Sequence, residues 1–187
     1  MHSNKGKIRI IAGEYRGRRI AVPDRPGLRP TPDRVRETLF NWLGQSLAGL
    51  SCLDLFAGSG ALGFEAASRG AARVVMVEHD RAVFEALRKT KDRIGASQVE
   101  LVLDDAFAYL KRTQDGFDVV FLDPPFRQNA LPAVFRLLRA ARVYVESGEP
   151  FVAGEAWREV RRARAGQVSY QLLEWRGDDQ GGVSGDV

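Results

Sequence analysis

The stretch Leu53-Asp54-Leu55-Phe56-Ala57-Gly58-Ser59-Gly60-Ala61-Leu62-Gly63 runs from apolar, strand-forming residues into a glycine turn and then into helix formers. Glycine tolerates positive φ and lets the backbone approach a ligand closely, while the first turn of a helix presents free N–H groups at the same point. A strand, a glycine turn and a helix opening near Gly60 make a nucleotide-sized site. Outward from it the hydrophobic pattern predicts strands over 51–56, 73–77, 99–103, 117–122 and 141–146, and helices over 60–69, 81–94, 105–111 and 131–140. That alternation predicts an α/β fold, a doubly wound and mostly parallel sheet whose ligand crevice lies at the C-terminal strand ends. Residues 157–165 and 167–175 break the rhythm as two strand-like runs meeting at Gly166, so an antiparallel hairpin is expected to close the sheet.

Gly58-Ser59-Gly60-Ala61-Leu62-Gly63 matches the dinucleotide pattern G-x-G-x-x-G, and the acidic Glu78 follows the next strand-like run. Asp54 opposes a dinucleotide, because its carboxylate stands where a pyrophosphate would lie. A ligand carrying an ammonium and a sulfonium suits that charge, which favours S-adenosylmethionine. Glu78 can accept both ribose hydroxyls. In Asp104-Asp105-Ala106, Asp105 can accept the adenine amino group or cap the following helix, and the two roles are compatible.

The run Val119-Val120-Phe121-Leu122-Asp123-Pro124-Pro125-Phe126 carries the second signal. Prolines fix φ, so Pro124 and Pro125 hold a rigid turn at a strand end and aim the Pro124 carbonyl. That carbonyl and the Asp123 carboxylate form adjacent acceptors, which match the two hydrogens of an exocyclic NH₂ group. Such a pair orients the amine, directs its lone pair and stabilises the positive charge that builds as an N–C bond forms. Phe126 offers a stacking face to the base, with a plain core aromatic as the alternative.

At 187 residues and 44% apolar content the chain has the size of one α/β domain with a small addition. It shows no apolar run of roughly 18 residues and no apolar leader, so a cytoplasmic protein without a membrane span is expected. Cys52, the single cysteine, reads as a core residue, and with His2 and His79 as the two histidines no metal site is expected. Residues 1–36 hold ten basic and three acidic side chains, a net +7 that leaves −3 on the remaining 151. A polyanion is therefore expected to dock on the N-terminal side. After a loose tail over 1–6, two short strands flank Gly13-Glu14-Tyr15-Arg16-Gly17-Arg18, a hairpin with an arginine-rich tip. Arg16, Arg18 and Arg19 are candidate phosphate contacts and Tyr15 a candidate base-stacking residue, against a hairpin that is merely kept soluble. A Pro-rich linker over 23–32 leads to a helix with Thr31 as expected N-cap, Pro32 at the first helical position, Asp33 in the first turn, and Val35, Leu39, Trp42 and Leu43 as its buried stripe. Arg34 and Arg36 fall off that stripe, facing either solvent, the cleft or RNA.

Asp123-Pro124-Pro125-Phe126 resembles the D/N-P-P-Y/F motif of amino-group methyltransferases that act on nucleobases. With Asp54-Leu55-Phe56-Ala57-Gly58-Ser59-Gly60, the chain resembles a Rossmann-like class I S-adenosylmethionine-dependent methyltransferase. More narrowly, Arg9-Ile10-Ile11-Ala12-Gly13, Arg16-Gly17-Arg18, the run from Leu28 to Leu43, Tyr144-Val145-Glu146 and Ala165-Gly166-Gln167-Val168 resemble the RsmD family over about residues 7–175. The resemblance implies a seven-stranded sheet with an N-terminal hairpin that helps to grip RNA, and methylation of guanine N2 in 16S rRNA. It also implies a substrate presented in an assembled or partly assembled small ribosomal subunit, to an enzyme expected to be monomeric. Carried over residue by residue, it makes Asp123, Pro124, Pro125 and Phe126 catalytic and gives the cofactor Asp54, Phe56, Gly58, Ser59, Gly60, Glu78, Asp105 and Ala106. The RNA is assigned Tyr15, Arg16, Arg18, Arg19 and Arg34. The expected organisation is an RNA-contacting hairpin and linker over 1–30, the methyltransferase domain over 31–176 and a disordered tail over 177–187. The rival readings are an amino methyltransferase of DNA adenine or cytosine and a non-catalytic ribosome-assembly protein; an NAD-linked oxidoreductase stands further off.

Overall fold

The computed structural model describes residues 7–25, 31–124 and 130–177. The expected tail over 1–6, most of the 177–187 tail, and Pro125 and Phe126 lie outside the described residues. A two-stranded antiparallel sheet, β1 (Lys7–Arg9) and β2 (Arg19–Ala21), precedes α1 (Asp33–Trp42). Then come β3 (Ser51–Asp54), α2 (Ala61–Ser68), β4 (Arg73–Glu78), α3 (Arg81–Ile94), β5 (Val99–Leu103), α4 (Ala106–Arg112), β6 (Phe117–Leu122), α5 (Leu131–Leu137) and β7 (Ala140–Ser147). The chain ends in β8 (Trp157–Ala165) and β9 (Val168–Trp175). The large sheet has seven strands in the order β5-β4-β3-β6-β7-β9-β8, parallel through β7 and closed by the antiparallel β8–β9 pair. This is the doubly wound architecture the sequence pattern predicts, and its order reverses between β3 and β6.

The central strands are buried on both sides, and their alternation sorts the two layers. Cys52, Met76, Phe121 and Tyr144 pack with α1, α2, α3 and the N-terminal hairpin; Leu53, Val75, Val120 and Val143 pack with α4 and α5. The N-terminal hairpin packs into this core. Ile8, Ile10, Tyr15 and Ile20 are all buried in the first layer. Each such isoleucine contributes about 1.5–3 kcal/mol by leaving water.

The hairpin tip is anchored at the N-terminal ends of the strands. Glu14 N–H donates to the Ser68 carbonyl at 2.8 Å, Tyr15 N–H to Ser68 Oγ at 2.9 Å, and Arg18 to the Ile94 carbonyl at 3.0 Å. Gly13 is required there: at φ +79° it lies so close to α2 that a Cβ would fall 1.7 Å from the Ser68 carbonyl oxygen. Ser68 and Ile94 close α2 and α3, which run back from the strand C-termini, so the tip sits at the opposite end of the sheet from the ligand crevice. With about 1.5 Å rise per residue over α3, that is a separation of roughly 20 Å.

Three local expectations are corrected. The N-cap position of α1 is Pro32, and Thr31 makes no cap bond because its hydroxyl is committed to Glu146 at 3.1 Å. Helix α5 stops at Leu137, since Leu138 is already extended and leads into β7. Arg36 faces neither solvent, cleft nor RNA. It is fully buried, bonded to Glu65 on α2, to Asp33, and to the carbonyls of Arg9 and Thr31.

Candidate active site

Register and pleat bring four carboxylates to one edge. Asp54 on β3 is paired with Met76 and Phe121, and Phe121 with Tyr144, so all four point into the α1–α3 layer. Two residues beyond Met76, Phe121 and Tyr144 come Glu78, Asp123 and Glu146. In strand order the row reads Glu78, Asp54, Asp123, Glu146, with Asp54 one pleat deeper. At roughly 4.8 Å between strands it spans about 14 Å.

At the β3 end the glycine loop closes over the row. Gly60, at the N-cap position of α2, has φ +79° and leaves 2.7 Å between a hypothetical Cβ and the side chains of Leu87 and Phe64, so only glycine fits. Asp54 Oδ2 accepts the Gly63 N–H at 2.9 Å. A carboxylate of the chain thus fills the helix-terminal donor site that would otherwise hold a phosphate, which is the physical form of the argument against a dinucleotide. Burial pushes the Asp54 carboxyl up to about 7, against the Gly63 bond and aided by the charges of Glu78 and Glu146.

Glu78 is oriented by backbone donors, Gly58 N–H to Oε2 at 2.9 Å and Asp80 N–H to Oε1 at 2.8 Å. His79 Nδ1 lies a further 3.2 Å from Oε1, so Oε2 is the oxygen that keeps a lone pair for a ligand hydroxyl. Asp105 caps α4 through Oδ1, which accepts from Phe107 N–H at 2.9 Å and Ala108 N–H at 3.0 Å, and this leaves Oδ2 available. Asp104 is instead engaged by Arg112, Nη2 to Oδ2 at 2.7 Å. Phe56 is half-buried beside the loop, whereas Ser59 and Ala106 are buried.

Asp123 follows β6 directly, and Pro124 is buried beside it. Burial, with the Glu146 and Asp54 charges behind it, raises the Asp123 carboxyl well above the usual carboxylate range, and the Thr31 hydroxyl works in the opposite direction. Glu146, 5% exposed, receives the Tyr144 hydroxyl at 2.9 Å and the Thr31 hydroxyl at 3.1 Å, both on Oε1. Burial raises its carboxyl too, while these two hydroxyls hold it down. Thr31, Tyr144 and Glu146 were not singled out as site residues in the sequence. The signal was available, since Glu146 ends a predicted strand just as Glu78 does.

The RNA candidates divide. Arg16, Arg18 and Arg19 are exposed at the hairpin tip, where Arg18, Arg19, Arg93 and Ile94 line a shallow notch of about 260 Å³. Tyr15 is corrected: it is 3% exposed, with its hydroxyl on Gln98 and Arg18 over its ring, so it has no face to offer a base. Arg34 is exposed on the first turn of α1, which Thr31 ties to the Glu146 end of the row. Among the described residues no group of three or more His, Cys, Asp or Glu is arranged to hold a metal ion, and no helix is long and apolar enough to cross a membrane.

The family model described as conserved hypothetical protein 95 matches residues 8–174. Ribosomal RNA small subunit methyltransferase D of Escherichia coli K12 is 46% identical over 184 residues, covering 92% of each chain. Its namesake from Haemophilus influenzae is 43% identical over 183 residues, covering 91% of this chain and 95% of the other. A solved structure of a putative methyltransferase from Escherichia coli superposes with a TM-score of 0.82 at 42% identity, covering 91% of this chain and 98% of that one. With its fold, its acid row and these matches, the chain belongs to the RsmD family.

Proposed function

We propose that this protein transfers a methyl group from S-adenosylmethionine to the exocyclic N2 amine of a guanine in 16S rRNA of the small ribosomal subunit. The observation that carries the reading is the acid row, which offers acceptors to cationic and hydroxyl-bearing groups at one end and to an amine at the other. Its fit to the cofactor rests on the donor set: Asp54 and Glu78 present carboxyl oxygens that accept when ionised, and the α2 N-terminus is filled by Asp54. Glu78 would hold the ribose hydroxyls, Asp105 Oδ2 the adenine amine, and Asp54 the positively charged end, with Phe56, Gly58, Ser59, Gly60 and Ala106 shaping the walls. The cofactor supplies an electrophilic methyl group.

The chain's own contribution is positioning and charge. The Asp123 carboxylate and the Pro124 carbonyl accept the two N2 hydrogens and turn the nitrogen lone pair out of the base plane. As the N–C bond forms, the amine becomes cationic, and Asp123 stabilises that charge in a site shielded from water. One N2 proton then leaves to Asp123 or solvent. Phe126 is assigned to stacking on the base by its motif, and Pro125 to the rigidity of the turn. N2 in a paired stack is inaccessible to in-line attack, so the guanine must be splayed out. Arg34, exposed on α1, would meet RNA beside the pocket, and Arg16, Arg18 and Arg19 would meet phosphates roughly 20 Å away. Contacts that far apart favour a large folded substrate, and the assembled or partly assembled subunit is part of the proposal, as are a monomeric enzyme and a cytoplasmic location.

The test is transfer of labelled methyl to small subunits and to naked 16S rRNA from cells lacking the enzyme, followed by digestion and mass analysis of nucleosides. N2-methylguanosine is the expected product. Methylated adenosine or cytidine would overturn the base assignment, and the absence of transfer despite cofactor binding would overturn the enzymatic reading.

A further inference from the structure

The acid row has one member more than the proposed chemistry uses. Glu78 and Asp54 stand at the glycine loop and Asp123 holds the amine, but Glu146 lies one strand beyond Asp123, on the side away from the cofactor. Its surroundings are specific. Both hydroxyls that reach it, Tyr144 at 2.9 Å and Thr31 at 3.1 Å, donate to Oε1. Among the described residues none donates a hydrogen bond to Oε2. Glu146 follows Tyr144 on β7 as Asp123 follows Phe121 on β6, so the two carboxyls stand side by side at the C-terminal ends of neighbouring strands. A carboxyl with one oxygen taken by two hydroxyls, and no described residue donating to the other, offers an acceptor to a donor.

The nucleobases with an exocyclic amine differ in the ring nitrogen next to that amine. In adenine N1, and in cytosine N3, it is an acceptor; in guanine N1 it carries a hydrogen and is a donor. An amine held by Asp123 and Pro124 puts this ring nitrogen beside the amine, on the Watson–Crick edge. We infer that Glu146 is the guanine-selecting residue, its free Oε2 accepting N1–H of the base whose N2 amine rests on Asp123 and Pro124. This rests on the methyl-transfer reading given above. An adenine or cytosine placed in the same way turns a lone pair toward the carboxylate and leaves the buried acceptor unpaired, which is how a site built for a donor rejects an analogue lacking it. Thr31 and Tyr144 are positioning residues that act through Glu146.

The experiment places 2-aminopurine at the methylated position of 16S rRNA assembled into small subunits. This base keeps the 2-amine but has an acceptor at N1. Wild-type enzyme is expected to prefer guanine by about 10⁴-fold in kcat/KM. Glu146→Gln keeps a carbonyl for the two hydroxyls and presents NH₂ in place of Oε2. It is expected to lose roughly 10²-fold on guanine while gaining on 2-aminopurine, so that the preference collapses. Retained S-adenosylmethionine binding, measured by calorimetry, verifies that the variant is folded. An unchanged preference in Glu146→Gln overturns the inference, and so do equal wild-type rates on the two bases, a comparison that decides the matter even if the variant does not fold. If wild type methylates neither base while binding the cofactor, the methyl-transfer reading itself fails and this inference falls with it.

Discussion

Glu65→Ala removes the residue on which the N-terminal arm, α1 and α2 converge. The Glu65 side chain is fully buried and accepts four bonds: Ile11 N–H at 2.8 Å and Arg36 Nη1 at 3.4 Å on Oε2, Ala12 N–H at 3.1 Å and Arg69 Nε at 2.8 Å on Oε1. Alanine leaves the buried Arg36 guanidinium facing only Asp33 and two carbonyls, and it strands two amides of the hairpin. Breaking a buried pair from one side costs about 3–5 kcal/mol, offset by at most about 0.5 kcal/mol of better helix propensity. Against a total stability of about 5–15 kcal/mol that is a large fraction, and for a chain of this size it lowers Tm by about 6–20 °C. Urea unfolding followed by circular dichroism measures the loss, and limited trypsin digestion should cut at the hairpin arginines before the core. Adding Arg36→Met to Glu65→Ala should recover part of the stability, because the uncompensated charge goes with it. A loss below about 1 kcal/mol, or no recovery in the double variant, would refute the account of this network.

Asp123→Ala should bind S-adenosylmethionine with little change and lose at least about 10²-fold in transfer, read by single-turnover methylation; unchanged turnover would remove Asp123 from the mechanism. Because burial lifts the Asp54 carboxyl from 3.8 to about 7, the folded protein holds a proton there that the unfolded chain has already lost. Ligand-free stability should therefore fall as pH rises from about 4 to about 7, by up to about 1.4 kcal/mol per pH unit, and Asp54→Asn should flatten that slope in pH-dependent urea unfolding. By the same linkage a cationic ligand favours the ionised form, so S-adenosylmethionine binding below pH 7 should release a proton, seen as buffer-dependent heat in calorimetry. Arg16→Ala with Arg18→Ala should weaken binding to small subunits and reduce the slope of log K against log salt by about 1.5–2, with cofactor affinity untouched; an unaltered slope would return the hairpin to a role in solubility.

The sheet was legible because its strands obey strong local rules. Val119 to Leu122 and Arg73 to Val77 are β-branched or apolar runs bounded by turn residues, and the structure keeps them with shifts of one or two positions. Asp54, Glu78 and Asp123 were legible for a different reason, since a charged residue ending an apolar strand points to the crevice that a doubly wound fold creates. Arg36 was misread because an arginine off an apolar stripe is ordinarily solvated. The clue lay on another helix, where Glu65 is the one charge in the otherwise apolar run Ala61–Ser68 and needs a buried cation. Tyr15 misled likewise: a tyrosine between arginines suggests a stacking platform, but its ring completes the layer under the hairpin and its hydroxyl has Gln98 to bond. Thr31 matched a cap signal that a stronger tertiary partner overrode.

The acid row explains why one glycine loop can serve such different ligands in proteins of this architecture. A helix N-terminus with free amides attracts phosphate; here Asp54 occupies it, and the local potential changes sign. That substitution has an electrostatic cost, since Glu78 and Glu146 raise the energy of ionising Asp54, and Glu146 and Asp54 that of ionising Asp123. Empty, the row is relieved by protonation; filled, by the positive charge of a ligand. The sheet tolerates four carboxylates along one edge because they gain their counter-charge from the molecule they bind, and this strain at rest disfavours a neutral or anionic occupant.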